Sequence, residues 1–579
     1  MSFTTKSVRS FGVVAVVFAL IAAGSGGHAL AQSLTPAPLP SPGESFSPAP
    51  TPSPTPAPLS AQPASITIAP GVSQAVKILG ATAPITAQIS APIATLTVDQ
   101  KASFVYVTAV QIGTATIHVS DAAGAGVDIP ITVAQPAGIV PATYSLIVTG
   151  TPASSRFLSR QIRAALTRAI RPTLQPGSSI TFNPLGIPLQ PLQPGFETSI
   201  DVPVTVAGPP STAPVYATTT VTVQNLAVVP TVPTTLFYDD DPEYVQVGGV
   251  LFRGTIQANA ATRLYYYHDN LGLPKDIAVV LTPASSLPTR VQLIDVEGGP
   301  DQDVMSVGNS ISKSFVLEES HNEGTVVDLI PATPFVVRNT LALLGELVAG
   351  SMDVRVLMGG PVTVSVVAVP AGTPLAQYLG GPLAPRDGHE RSGAFNLTGF
   401  GDTTLAYTVG GTDALYTYGA RENAPPNLDP ASQGHDWGDY GVIHRVTVAI
   451  DNPTGTTQPV YLFEQPFGGA TINNFVIDGQ VKQMGCARIP QRYEINEYDV
   501  PANSSTTSTV VTMTDGGSSY PLQIGLTQTP PQPETPPMDA TDGCFPKATP
   551  TPSPMPIPTE IPSAVPTEYP TEIPTPAPT

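Results

Sequence analysis

Charge is scarce in this chain. Lys, Arg, Asp and Glu make up 12% of its 579 residues, about half the roughly 25% of an average soluble domain. The balance is acidic, with 24 cationic against 43 anionic side chains and a net charge of −19. A surface of that sign cannot neutralise a phosphate backbone and release its counterions, which argues against general nucleic-acid binding. Only two cysteines and one tryptophan are present, and neither HExxH nor CxxC occurs, so the commonest zinc arrangements are missing. Long apolar runs are missing too: Phe11 to Ala23 falls short of the roughly 20 residues that cross a bilayer, and no later stretch is longer. What is abundant is proline, at 68 residues, with 50 glycines. A Pro inside a helix costs about 3 kcal/mol, so a helix-rich fold is excluded.

The first 31 residues read as a secretory signal peptide, with Lys6 and Arg9 as basic flank, Phe11 to Ala23 as apolar segment and Ala29-Leu30-Ala31 as cleavage site before Gln32. The alternative is an uncleaved anchor. The mature chain is expected to carry no transmembrane segment and to be secreted, periplasmic or held at the cell surface. Residues 32–63 and 546–579 alternate Pro with Ser, Thr and Ala. Such sequence favours extended polyproline II and cannot bury enough apolar surface to offset chain entropy, so both are expected to be disordered, as a Pro-rich linker and a tail. Residues 64–545 remain for a folded head of several domains.

In that head, short alternating runs such as Phe104-Val105-Tyr106-Val107 and Val362-Thr363-Val364-Ser365-Val366 are broken by Gly, Pro, Asn and Asp. β-Branched residues suit a pleated, half-buried surface, so the expected fold class is mainly β: several β-sandwiches with one small α+β domain. Within residues 64–135, Val105 to Ala109, then Gly113-Thr114-Ala115-Thr116-Ile117-His118-Val119-Ser120-Asp121, closing on Ile129 to Val133, resemble a bacterial immunoglobulin-like domain of the second group. That resemblance implies a small sandwich without catalytic residues, used as a spacer or adhesive unit. Residues 142–229 form the α+β unit: Tyr144 to Val148 as a strand, Ser154 or Ser155 capping a helix to about Ile170, and strands Thr198 to Val206 and Val215 to Val223. On the helical wheel Leu158, Ile162, Ala165, Leu166 and Ala169 share one face, and Arg156, Arg160, Arg163, Arg168 and Arg171 gather opposite. Those arginines are either a solvated face or a contact for an anionic partner. Two larger β-sandwiches follow at residues 234–369 and 382–526, then an extension at 527–545.

Chemical candidates are few. Asp239, Asp240, Asp241 and Glu243, and separately Asp301 and Asp303, supply oxygens of the kind calcium prefers, though neither run has the spacing of a calcium loop. No other cofactor is indicated. Tyr265, Tyr267 and His268 share one aromatic strand, and His435, Trp437 and Tyr440 cluster in a second segment. The rings are either packing or a surface on which a sugar could stack. His435 and His444 are nine apart and could ligate a metal, but no third ligand is specified. Asp387, His389 and Glu390 precede Ser392, yet no Gly-x-Ser-x-Gly elbow supports acyl transfer. Cys486 and Cys544 are an even pair behind an export signal and are expected to be bridged. These observations predict a non-catalytic structural or adhesive binding protein of the envelope or extracellular space. Its partner is expected to be an envelope polymer, a glycan or another surface protein. A carbohydrate-binding or carbohydrate-active protein is the alternative, and a binder of a metal or small ligand the third reading.

Overall fold

The computed structural model describes residues 58–182, 189–535 and 544. The signal segment, most of the Pro-rich linker and the tail after Cys544 lie outside them. The described chain is mainly β, with two long helices. Its first body pairs two four-stranded sheets. One runs in the order Ser60–Gln62, Ser73–Leu79, Phe104–Ala109, Ala94–Asp99, the other Ile66–Ile68, Gly126–Val133, Gly113–Ser120, Thr86–Ile89. Alternation decides which side chains enter: Val76, Ile78, Val105, Val107, Ile117, Val119, Ile129 and Ile131 point inward and are fully or almost fully buried. Each such burial is worth about 1.5–3 kcal/mol, which holds two small sheets together without a disulfide.

In the α+β region the helix α1 spans Ser155–Ile170, and the Ser154 hydroxyl accepts from the Phe157 N–H as its cap. Phe157, Leu158, Ile162, Ala165, Leu166 and Ile170 are buried on the sheet formed by Thr143–Thr149, Val215–Asn225, Glu197–Ala207 and Ser179–Phe182. The sheet does not end there. Thr149 and Val148 pair with Gly324 and Thr325, so residues 142–229 and the next sandwich share one eleven-stranded sheet. Thr149 anchors the seam: its hydroxyl donates to the Asn322 carbonyl at 2.7 Å and accepts from Gln292 Nε2 at 2.8 Å. The sequence separates these two regions because nothing local announces a pairing of residues so far apart in the chain.

That large sheet continues through Gly324–Leu329, Thr289–Asp301, Glu346–Met358, Ala261–Asn270, Thr235–Asp239 and Ser392–Asn396. It packs on a four-stranded sheet, Gly249–Ile256, Val362–Pro370, Lys275–Pro283 and Phe335–Ala342. The strand Ser392–Asn396 corrects a boundary. It falls in the range expected for the last sandwich, yet it pairs antiparallel with Thr235–Asp239. The last sandwich therefore starts at Asp402–Thr408, in a sheet with Ile443–Asn452, Ser504–Met513, Thr471–Ile477 and Gln480–Ala487, and is closed by Ala414–Tyr418, Leu522–Thr527, Gln458–Pro466 and Tyr493–Val500.

The second helix, α2 at Val304–Ser320, lies between the central sheet and this last sandwich. Asp303 caps it, accepting from the Ser306 N–H at 3.1 Å. On one side Val307, Ile311 and Phe315 join Ile294, Val296 and Leu347; on the other Val442, Ile443, Val476 and Met513 complete the same cluster. Polar contacts fix the register, with Asn309 Nδ2 donating to Asp515 Oδ2 at 2.6 Å and Asn474 Nδ2 to Ser312 Oγ at 3.0 Å. Helix and loop touch most closely at Gly308, where a Cβ would overlap the backbone of Gly516.

Cys486 and Cys544 are disulfide-bonded with their Cα atoms 5.3 Å apart. Cys544 is buried against Met305 of α2 and Ile472. The extension before it follows the last sandwich, with Gln532 accepting from the Glu494 N–H and donating to the Arg492 carbonyl, both at 2.9 Å.

Candidate functional site

Where the central sheet meets the last sandwich, the chain leaves a pocket of about 230 Å³ lined by Tyr238, Asp240, Glu243, Tyr265, Tyr267, Arg391, Trp437, Tyr440, Gly517 and Ser518. The strand period of two builds its floor. Tyr265 and Tyr267 lie two apart on Ala261–Asn270 and share the face toward the last sandwich, and Tyr238 stands beside Tyr265 in parallel register. Antiparallel pairing of Thr235–Asp239 with Ser392–Asn396 brings Arg391 next to Asp240, whose N–H donates to the Arg391 carbonyl at 2.9 Å. The opposite wall comes from the loop before Ile443–Asn452, carrying Trp437 and Tyr440, and from Gly517 and Ser518 after Ser504–Met513.

The aromatic groups are unequal. Tyr265 and Tyr267 are 1% and 8% exposed, against 41% for Trp437. Tyr440 stacks on both Tyr238 and Tyr265 with centroids 6.3 and 6.1 Å apart, and its hydroxyl donates to the Ser518 carbonyl at 3.1 Å. The imidazole of His435 stacks on Trp437 with centroids 3.4 Å apart, and the Arg421 guanidinium sits 3.7 Å from the same ring centre. Two groups that close must take opposite faces of the indole. Trp437 thus meets the pocket with its ring already in contact with His435 and Arg421.

The polar groups are held but incompletely satisfied. Arg391 Nη2 donates to Glu243 Oε2 at 2.6 Å, and the Tyr238 hydroxyl donates to Asp240 Oδ2 at 3.0 Å. Burial pushes the Asp240 carboxyl well above the usual carboxylate range even though Arg391 pulls it down. Burial also works against the charge of Arg391, but Asp240 and Glu243 outweigh it and hold the guanidinium above its ordinary value. Asp240 Oδ1, Arg391 Nε and the Tyr265 hydroxyl are buried without any hydrogen-bond partner. One is an acceptor, one a donor, and the third can be either.

A second polar group lies deeper in the last sandwich. The Tyr416 hydroxyl is 3.0 Å from His444 Nδ1, while His444 Nε2 is 3.6 Å from Asp439 Oδ2, too far for a hydrogen bond. Burial, helped by Arg445, lowers the His444 imidazole to about 3. Burial raises the Asp439 and Asp515 carboxyls to about 7 and that of Glu464 to about 8. Asp436 is also held well above the carboxylate range by burial and by Asp439.

Other sequence candidates scatter. His268 faces away from Tyr265 and Tyr267: its Nε2 is 3.0 Å from Asp239 Oδ2 and its Nδ1 is 2.9 Å from the Pro242 carbonyl. Burial opposes its charge, but Asp239 and the two hydrogen bonds outweigh it and raise its pKa. His435 and His444 do not meet, one stacked at the pocket rim and the other in the sandwich core. The acidic run has separate partners: Asp239 pairs with His268, Asp240 with Tyr238, Asp241 accepts from the Asp387 N–H, and Glu243 pairs with Arg391. Asp301 accepts from the N–H of Asp303, which caps α2. Among the described residues no group of three or more His, Cys, Asp and Glu is placed to hold a metal ion.

The arginine face of α1 is likewise not one open surface. Arg160 pairs with the buried Glu318, Arg156 Nη2 donates to Ser314 Oγ at 3.4 Å, and Arg168 donates to the Val337 carbonyl at 3.3 Å and lies over the Phe335 ring. Arg171 Nη1 lies 3.5 Å from the Asn339 carbonyl, and Arg163 is half-buried. These cations seat α1 against the central body, a packing that the wheel alone cannot show.

No protein-family model and no curated protein matches the chain. Among solved structures, the Bacteroides ovatus mixed-linkage glucan utilization locus SGBP-B, in complex with a mixed-linkage heptasaccharide, is similar over 51% of this chain and 70% of that one, at 11% identity and TM-score 0.11. The PBSX exported protein XepA is similar over 48% of this chain and 86% of that one, at 9% identity and TM-score 0.13. The N-terminal CBM22-1-CBM22-2 tandem domain of Paenibacillus barcinonensis Xyn10C is similar over 52% and 93%, at 6% identity and TM-score 0.12. Scores this low do not establish a shared fold.

Proposed function

We propose that this chain is an exported, non-catalytic binding protein whose ligand is a saccharide seated in the pocket between the central and last sandwiches. The observation that carries this reading is the trio of buried, unpartnered polar groups on pocket-lining residues: Asp240 Oδ1, Arg391 Nε and the Tyr265 hydroxyl. Leaving such groups unpaired costs about 1–3 kcal/mol each, and because these atoms have almost no open surface, a ligand relieves that cost as the lining side chains shift on its entry. Sugar hydroxyls both donate and accept, so one ring can satisfy an acceptor, a donor and a phenol together. The volume of about 230 Å³ lies below the roughly 300–1,000 Å³ of sites for drug-sized ligands, which suits a terminal ring more than an internal stretch of chain. The disulfide supports an oxidising compartment. The N-terminal sandwich, with its resemblance to bacterial immunoglobulin-like domains, then acts as a spacer. A glycan array probed with purified chain, repeated with Glu243→Gln, tests the reading. It predicts capture of a defined set of glycans by the wild type and weaker capture by the variant. Absence of capture across the array contradicts it.

A further inference from the structure

The pocket carries a charge deficit that the saccharide reading alone does not use. Asp240 and Glu243 share a single guanidinium: Arg391 Nη2 is 2.6 Å from Glu243 Oε2, whereas its Nε is 3.4 Å from Asp240 Oδ2 and not aligned for a hydrogen bond. Asp387 draws on the same Nη2 from 3.7 Å. On the pocket lining Asp240 and Glu243 thus face the one guanidinium of Arg391, and Asp240, 6% exposed, keeps Oδ1 without a donor. The walls favour positive charge as well. Aromatic rings attract cations to their negative faces, and this pocket is lined by four tyrosines. Independently of the carboxylates, the Tyr265 hydroxyl is buried on the same lining without a partner.

We infer that the pocket recognises a ligand bearing an ammonium group, presented by an amino sugar. The ammonium donates to Asp240 Oδ1 among the tyrosine rings, and a ring hydroxyl pairs with the Tyr265 hydroxyl. The inference rests on the saccharide reading and narrows its ligand class. A uronic acid is disfavoured, because its carboxylate would enter beside Asp240 and Glu243 in a poorly solvated site where like charges repel strongly. N-acetylation is disfavoured for the opposite reason: it removes the charge that the carboxylates select.

Titration calorimetry on the full chain with glucosamine, N-acetylglucosamine, glucose, glucuronate and ethanolamine tests this without a variant that must fold. The expected result is glucosamine bound at least about tenfold tighter than the two neutral sugars, with glucuronate weakest and ethanolamine weaker than glucosamine. A further loss of about tenfold for glucosamine is expected in Asp240→Asn. Glucose and N-acetylglucosamine binding as tightly as glucosamine overturns the ammonium inference and leaves the saccharide reading standing. Ethanolamine binding as tightly as glucosamine, with no neutral sugar bound, overturns the saccharide reading and keeps the ammonium. Binding of none of the five overturns both.

Discussion

Gly308 of α2 and Gly516 of the loop after Ser504–Met513 meet backbone to backbone, so that no Cβ fits on Gly308. This contact locks the helix between the central sheet and the last sandwich, and the adjacent residues Gly517 and Ser518 line the pocket. Helix propensity and packing make opposite predictions for Gly308→Ala. Propensity favours Ala by about 1 kcal/mol, whereas overpacking costs about 1–3 kcal/mol. We expect a net loss of stability in denaturant unfolding; a gain would mean that the two backbones are not in contact.

Stability should fall as pH rises from 6.5 to 8. Glu464, with a folded pKa of about 8, and Asp439, Asp515 and Glu318, each about 7, are raised above ordinary carboxylates by burial. A raised folded pKa gives a contribution fully present below the unfolded value near 4 and lost as pH climbs to the folded one. His444, lowered to about 3, works the other way, but only below its unfolded value near 6.5. Above 6.5 the acids dominate, and His268, raised by Asp239, acts in the same direction. Melting temperatures should be higher at pH 6.5 than at 8, and Glu464→Gln should flatten the difference. Equal values at the two pH settings would contradict this account.

Arg160→Gln separates an internal role for the α1 arginines from an open cationic face. Its partner Glu318 is buried, so losing the guanidinium should cost about 1–3 kcal/mol. Protonation of Glu318 limits the cost at low pH, which makes the loss larger at pH 8 than at 6. An unchanged melting temperature would restore the reading of a solvated face.

Removing the disulfide by Cys486→Ala with Cys544→Ala should lower stability by up to about 4 kcal/mol in the chain-entropy model, for a sequence separation of 58. Because Cys544 packs on Met305 of α2, amide exchange should rise in α2 as well as in the last sandwich. Exchange confined to the C-terminal extension would show that the bond does not brace the junction.

What sequence made legible follows from how local each signal is. Alternation gave the strands of the first sandwich, and the 3.6-residue stripe after Ser154 or Ser155 gave α1 almost to the residue, with Ser154 the cap. The helix α2 was missed for a physical reason. Packed on both sides, it has buried groups around its surface, and Gly308 and Ser312 sit among them, so neither a stripe nor high propensity marks it. Six of the ten lining residues were visible as residue types: Tyr265, Tyr267, Trp437 and Tyr440 as candidate ring surfaces, Asp240 and Glu243 as acids. Tyr238, Arg391 and Ser518 carried no signal, because strand pairing and the meeting of two sandwiches bring them there. His268 stood in the right strand but on the wrong face.

Trp437 is the only tryptophan in the chain and lines the pocket, so tryptophan emission reports from the pocket wall. The most direct test of the saccharide site is a titration of the purified chain with a saccharide that calorimetry shows to bind, followed by Trp437 emission. The account predicts a saturable change in emission whose midpoint equals the calorimetric Kd and which is weakened in Glu243→Gln. Saturable heat without any change in Trp437 emission would place the ligand elsewhere and contradict the account.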